Sequence, residues 1–489
     1  MPSNDLMNIA LVGDCLIQHQ VSSYKEPRFL ALANRLRGAD ITIGNLECNI
    51  TQGEDPPAIW AGGGHGATFM ATPPFCLEEL QWMGVRAVWC ANNHSADFGE
   101  TGMATTLEYL DEAGMYHCGT GLSLTQASSP VYVETPHGRV AILSASDWGP
   151  RGKADLPYPI PIGMLAADEE PYFRNRPGAN LVRFDAKIHV DDATFNALKR
   201  ANEGLGWNEA KRVRREGGGR SDPLMGHTML GREIDTADEI YFMGTIFKRT
   251  KGFSFETVPY AVDLERNYKM VREARRQADV VIMGFHQQGA GRTFDNPSDQ
   301  TLIFARGCID AGADIFVAHG RGRMGGIEVY KGKAICYGLP GFIMQQDQVR
   351  TVPPEMLERW GFPRDAGAGE FLNKRTGAEA GGRSQIGGTG LSHPAEAALA
   401  YAEVVFERNG GVREIRMVPM EKTLGTARHQ SGRPMLAEKG SDLSRIILEN
   451  LVARSKPYGT VIDISSGEGV VRLGKGSAPA PAKARARKR

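Results

Sequence analysis

The sequence predicts an α/β fold organised on a central sheet, and three features carry that prediction. Short apolar, β-branched runs alternate with helix-like stretches through roughly the first 150 positions and again after about residue 260, which is the pattern of βαβ units. Several of those runs end directly in Asp, Glu, Asn or His, where open α/β folds place their sites. The composition is that of a chain with a real core, 41% apolar and 23% charged over 489 residues, close to ordinary globular values. That length fits roughly two to four domains, or one large domain with insertions. Glycine, at 59 residues, exceeds its usual share, so many turns are expected.

From the N-terminus, Asn8 to Val12 reads as a strand ended by Gly13-Asp14. Arg28 to Leu36 has helical spacing. Residues 40 to 44 form a β-branched run ended by Asn45-Leu46-Glu47. Pro74 to Met83 reads as a helix, and Ala87 to Cys90 as a strand ended by Ala91-Asn92-Asn93-His94. Gly102 to Ala113 is a helix closed by Gly114, and Val140 to Ser144 a further strand. At about 150–258 the alternation fails in a stretch rich in Pro, Gly and Arg, with a basic helix opening at Trp207. This stretch is read as an insertion, a lid or an oligomer contact.

Beyond it, Tyr268 to Ala278 reads as a charged helix and Asp279 to Gly284 as a strand leading to Phe285-His286. Leu302 to Ala311 is a helix, Asp314 to Ala318 a strand ended by His319, and Ala334 to Tyr337 another strand. Residues 346–394 form a loop, Gly-rich from about 364. Val404 to Phe406 and Ile415 to Val418 are strand-like, and Leu443 to Ala453 is an amphipathic helix. One domain is expected over 1–473, followed by a disordered basic tail at 474–489.

Lys and Arg number 57, as do Asp and Glu, for a net charge of zero. A protein held to nucleic acid or to an anionic membrane by its overall field is thereby excluded. The zero has two unlike parts, because the tail holds Lys475, Lys483, Arg485, Arg487, Lys488 and Arg489 and no acid. The remaining body is mildly acidic, so an anionic ligand must be drawn by local charge. No apolar run approaches the ~20 residues of a membrane helix, and the first residues lack the basic region of a secretory signal. Seven Cys, an odd count without CxxC spacing, read as reduced, buried thiols. A cytoplasmic protein without membrane or specific nucleic-acid partners is expected, with room for a homo-oligomer.

The chemistry-bearing residues are Asp14, Glu47, Asn93 with His94, His286 and His319, each just after an apolar run. A lone strand-end His is usually a hydrogen-bonded structural residue; five such strand ends in one chain make a site the better reading. Carboxylate, amide and imidazole together form the mixed oxygen and nitrogen set that Mn²⁺, Fe²⁺ or Zn²⁺ accepts. His65, in the loop Gly62-Gly63-Gly64-His65-Gly66, is a candidate for closing over a ligand. That loop is not a phosphate loop, since no Lys-Ser/Thr comes after it.

Gly13-Asp14, Asn45-Leu46-Glu47, Ala91-Asn92-Asn93-His94 with Asp97 and Gly99, and His286 after its strand resemble the CapA poly-γ-glutamate capsule-synthesis family. That family belongs to the calcineurin-like metallophosphatase superfamily. The stretch Gly84 to Ala145, with the strand start Gly138-Arg139-Val140, Gly312-Ala313-Asp314 and the segment from Gly432-Arg433-Pro434 to Gly459-Thr460 are similar too. The resemblance implies a four-layer αββα sandwich with a metal centre at one edge of the sheets. It implies Asp14, Glu47, Asn93, His286 and His319 as ligands of one or two divalent transition-metal ions (Mn, Fe or Zn). It further implies His94 as general acid/base, oriented by Asp97, beside metal-activated water.

The chain departs from the family where Ala318-His319-Gly320-Arg321-Gly322-Arg323 replaces a Gly-His-His-Pro-His segment. At least one imidazole is lost, which bears on a second ion, and two guanidinium groups appear. Gln287-Gln288-Gly289 comes after His286 where the family has Trp-Gly, and Gly338-Leu339-Pro340-Gly341-Phe342 stands where the family has Ser-Leu-Gly-Asn-Phe. Arg321 and Arg323 are able to grip a carboxylate or phosphate, and with Asn45 and His65 they are the substrate-binding candidates. The expected function is a metal-dependent hydrolase or lyase acting on a small or oligomeric carboxylated substrate. The alternatives are a non-catalytic relative that binds a ligand or partner in a degraded site, and a metallophosphoesterase.

Overall fold

The computed structural model describes residues 6–58, 69–148, 165–171, 174–216, 235–243, 245–287, 296–345, 351–376, 399–407, 411–423 and 432–473. His65, parts of the loop 346–394 and the tail 474–489 lie outside these residues.

Two large sheets form the centre. The first runs, edge to edge, Pro434–Leu436, Val412–Lys422, Leu399–Phe406, Met7–Leu16, Ile41–Leu46, Val85–Trp89 and Tyr116–Cys118. The second runs Glu239–Phe242, Thr245–Arg249, Leu181–Val190, Gly138–Trp148, Val280–His286, Ile315–His319, Lys333–Cys336 and Ile327–Tyr330. Successive side chains of a strand point to opposite faces, and the packing divides by this parity. Ile9, Leu11, Ile41, Ile43, Ala87 and Trp89 meet Val140, Ile142, Val280, Ile282, Ile315 and Val317 in a core between the sheets.

The alternate residues face outward onto helices. Ala10, Val12 and Val88 pack with Phe29 and Leu32 of helix Pro27–Arg37 and with Leu77 and Leu80 of helix Phe75–Met83. Ala141, Leu143, Val281, Met283 and Phe316 pack with Val271 of helix Ala261–Gln277 and Phe304 of helix Asp299–Ala311. The layers are therefore helix, sheet, sheet, helix, the αββα sandwich that the family resemblance implies. Strands covered on both faces read as continuous apolar runs, which is why the sequence shows them so plainly. All seven cysteines are free and buried.

Two helices start where Ser298 and Ser441 side chains accept the N–H groups of Thr301 and Ser444. The helix expected from Tyr268 begins earlier, at Ala261. Its first turn carries Asp263, fully buried, which pairs with Arg183 at 2.7 Å and Arg266 at 2.7 Å. This bridge ties the inserted region to the body. The insertion also extends the second sheet, since Leu181–Val190 pairs in parallel with Gly138–Trp148 and carries Thr245–Arg249 and Ser254–Pro259 on it.

Candidate metal centre

One extra residue in the first strand aims the centre's carboxylate. Leu11 pairs with Ile43 and Asp14 with Asn45, so three steps on one strand oppose two on the other. Such a bulge reverses the parity of every later residue in the strand. Before it, odd-numbered Leu11 faces the inter-sheet core; after it, odd-numbered Cys15 faces the helices. Asp14 thereby turns to the inter-sheet side. Gly13 sits in the bulge because a Cβ there would lie 1.9 Å from the carbonyl oxygen of Pro340. The close approach is sealed by the Phe342 N–H, which donates to Asp14 O at 2.7 Å.

The second sheet supplies the imidazoles. His286 and His319 end adjacent parallel strands in direct register, and their Nδ1 atoms lie 3.2 Å apart. His319 stacks on Trp89 with ring centroids 5.3 Å apart. Trp89 in turn lies where a Cβ on Gly284 would fall, and Gly320, at φ +99°, leaves room for the His286 ring. Two strand-end glycines thus make space for the rings.

Across the gap, Asp14 Oδ1 lies 3.4 Å from His319 Nδ1 and 4.0 Å from His286 Nδ1. Its Oδ2 accepts the Gly320 N–H at 3.2 Å. Glu47 Oε1 is 3.7 Å from His286 Nε2. Asn45, fully buried, donates from Nδ2 to Asp14 Oδ1 at 2.8 Å, and the same nitrogen lies 3.2 Å from His286 Nδ1. Asn45 therefore stands as scaffold between the carboxylate and the imidazole.

Burial would push the Asp14 carboxyl up, but its contacts with His319, His286 and Asn45 outweigh that and hold it below its ordinary value. Burial, with Asp14 and Asp97 as like-charged neighbours, pushes Glu47 well above the carboxylate range. Burial drives His286 down to about 3 against the pull of Asp14, so it is neutral at ordinary pH. These residues fit a divalent ion on their own chemistry. Donor atoms of Asp14, His286 and His319 all lie within 4.8 Å of one another. His319 Nε2 is buried with no hydrogen-bond partner among the described residues.

His94 lies on the turn after Val85–Trp89, and its Nδ1 meets Asp97 Oδ2 at 2.6 Å. Asp97 Oδ2 also accepts the Met70 N–H at 2.8 Å. Asn93 is buried on the same turn, and its neighbour Asn92 braces that turn against Asn45. Asn92 Nδ2 donates to Asn45 Oδ1 at 3.2 Å and to Leu46 O at 2.7 Å, while its Oδ1 accepts the His94 N–H at 3.0 Å. The sequence motif singles out Asn93 and His94 and passes over this residue. Its signal is local: an Asn with Ser95 three positions on, whose hydroxyl accepts the Asn92 N–H at 2.8 Å, is a side-chain-locked turn.

Arg321 and Arg323 come after His319 on a half-buried loop, and Arg321 Nη1 donates to Asn296 O at 2.8 Å. Lys422, which no motif announces, ends strand Val412–Lys422 at the same edge. Burial lowers it to about 8, against the opposing pull of the Asp14 charge. Among the described residues no helix is long and apolar enough to cross a membrane.

Residues 8–346 match the family described as bacterial capsule synthesis protein PGA_cap. The chain is 29% identical over 476 residues to each of the uncharacterized proteins y4sH and y4uA of Sinorhizobium fredii (strain NBRC 101917 / NGR234), spanning 96% of this chain and 94% of theirs. It is 41% identical over 359 residues to the PGA biosynthesis protein CapA of Bacillus subtilis (strain 168), which covers 71% of this chain and 66% of that protein.

Proposed function

The chain belongs to the PGA_cap family of bacterial capsule synthesis proteins, and from that premise we propose that it is a metal-dependent hydrolase or lyase acting on a small or oligomeric carboxylated substrate. The observation that carries the reading is the buried Asp14, His286 and His319 cluster, whose donor atoms lie within 4.8 Å of one another, on the same edge as the His94–Asp97 pair.

Asp14, His286 and His319 would hold the ion, with Glu47 as a further carboxylate. A bound divalent ion would polarise the scissile group and make water a stronger nucleophile near neutral pH. The chain's own residues do the rest. Asp14 brings a standing negative charge, and His286 brings a lone pair without having to lose a proton first. Asp97 holds His94 by Nδ1, which fixes the ring and leaves Nε2 to give or take a proton. Arg321 and Arg323 are the groups suited to a substrate carboxylate. Nothing in the whole-chain charge would draw an anion, so this local charge matters.

Purified protein is expected to hold a stoichiometric transition metal; absence of one after reconstitution with Mn²⁺, Fe²⁺ and Zn²⁺ would end the reading. The pH dependence has a definite sign. Glu47 keeps its proton in the metal-free protein at pH values where a free carboxylate has lost it. His286, neutral above about 3, has none to give. Metal binding that recruits Glu47 should therefore release its proton, with affinity rising as pH rises. Calorimetry in two buffers of different ionisation enthalpy counts that proton, and a count of zero would show that Glu47 takes no part.

A further inference from the structure

We propose that residues 351–376 form a gate seated over the His94–Asp97 pair, so that only a substrate that fits beneath it, or lifts it, reaches the centre. The segment carries two short helices, Pro354–Arg359 and Ala368–Thr376. Helices of six and nine residues are too short to persist alone in water, so their apolar seat holds them. That seat is specific. Met356, Leu357, Phe362, Phe371 and Leu372 form one buried cluster with Phe69 and Phe98.

Both body residues adjoin the acid–base pair. Phe98 is the next residue after Asp97, and Phe69 directly precedes Met70, whose N–H donates to Asp97 at 2.8 Å. Phe69 and Phe98 meet edge to face at 6.4 Å, and Phe371 makes edge contacts with Trp360 at 5.7 Å and Phe362 at 5.9 Å. The ring contacts within the segment and the ring pair beside Asp97 thus belong to one apolar cluster. None of Asp14, Glu47, Asn93, His94, His286 and His319 is more than 6% exposed. An enzyme that threads a polymer needs its reacting groups along an open groove. These lie covered, and the covering segment grips the residues beside the proton-transfer pair.

The test needs neither metal nor substrate, so it stands or fails separately from the proposed activity. Full-length protein is treated with diethyl pyrocarbonate, and the rate at each His is read by mass spectrometry. In the wild type His94 should react at least tenfold more slowly than His137, which is partly exposed. Phe371→Ala should raise the His94 rate at least tenfold while His286 and His319 stay protected, and Phe371→Leu should restore protection. Should Phe371→Ala expose all three, Phe362→Ala is read in its place by the same criteria. A wild-type His94 as reactive as His137, or a folded variant with an unchanged His94 rate, would overturn the gate.

Discussion

Asp14→Asn is expected to lower the affinity for Mn²⁺ or Zn²⁺ more than 100-fold while leaving the fold in place. Loss of a supporting residue around a metal costs ~10–100-fold, and Asp14 supplies the standing negative charge among the three clustered donors. The substitution keeps the side chain's shape, and the new amide oxygen still accepts from Asn45. Its NH₂ would, however, confront the Gly320 N–H that Oδ2 now accepts at 3.2 Å. Two donors facing each other in a buried place cost about 1–3 kcal/mol, so a modest drop in melting temperature should accompany the loss of metal. Asp14→Ala should lose the metal too and leave both donors without their acceptor. Metal content after dialysis, with calorimetric titration, decides the matter. If both variants keep stoichiometric metal at wild-type affinity, the centre lies elsewhere.

Gly13→Ala should be among the most costly single-methyl changes in the chain. The new Cβ would sit 1.9 Å from the Pro340 oxygen and 2.8 Å from its carbonyl carbon. Both obstacles are backbone, so no rotamer relieves them. Overpacking of this kind costs about 3 kcal/mol or more when the surroundings cannot move. The strain falls on the contact that carries the Phe342 N–H to Asp14 O, so metal affinity should fall together with stability. Gly204→Ala is the control: it adds a methyl at a helix end with nothing within 4 Å, and should be neutral or stabilising by up to about 1 kcal/mol. Chemical denaturation compares the two directly. Equal stability of the two variants would mean that the bulge tolerates a side chain and that Gly13 is there for another reason.

Much of the scaffold is legible in the sequence because its strands are buried on both faces. Runs such as Val280–His286 are apolar throughout and stop at a polar residue, and the helices between them carry amphipathic spacing or a clear closing glycine. What periodicity cannot say is which sheet a strand joins. The two-sheet division comes from the family resemblance, and Ile282 packing with Ile9, Leu11 and Ile43 of the first sheet, while Val281 packs with Val271 and Phe304 of the helices, then shows it. The inserted strand Leu181–Val190 has Val182, Phe184, Ala186 and Ile188 in alternation, yet Pro- and Gly-rich flanks hide it.

The site residues are found as strand ends, since chemistry concentrates there. Their mutual roles are less visible. Parity counted along an uninterrupted strand from Leu11 points Asp14 at the helices, and only the bulge reverses it. Asn92 and Asn93 are neighbours of one type, and which of them faces Asn45 depends on a turn held by the hydroxyl of Ser95. Lys422 carries no motif, because its proximity to Asp14 arises from strand order and not from spacing.

The division of the centre between two sheets sets a timetable for its birth. The carboxylate and amide side of the site lies within the first hundred residues, whereas the imidazoles come from His286 and His319. At ~5–20 residues per second of synthesis, Asp14 waits roughly 15–60 s on the ribosome before His319 exists to face it. During that interval no nascent chain can hold an ion in this place, however much metal surrounds it. A bound ion would therefore report that the two sheets have docked, and a chain truncated before Ile315–His319, which lacks one imidazole and three strands of the first sheet, is expected to be metal-blind.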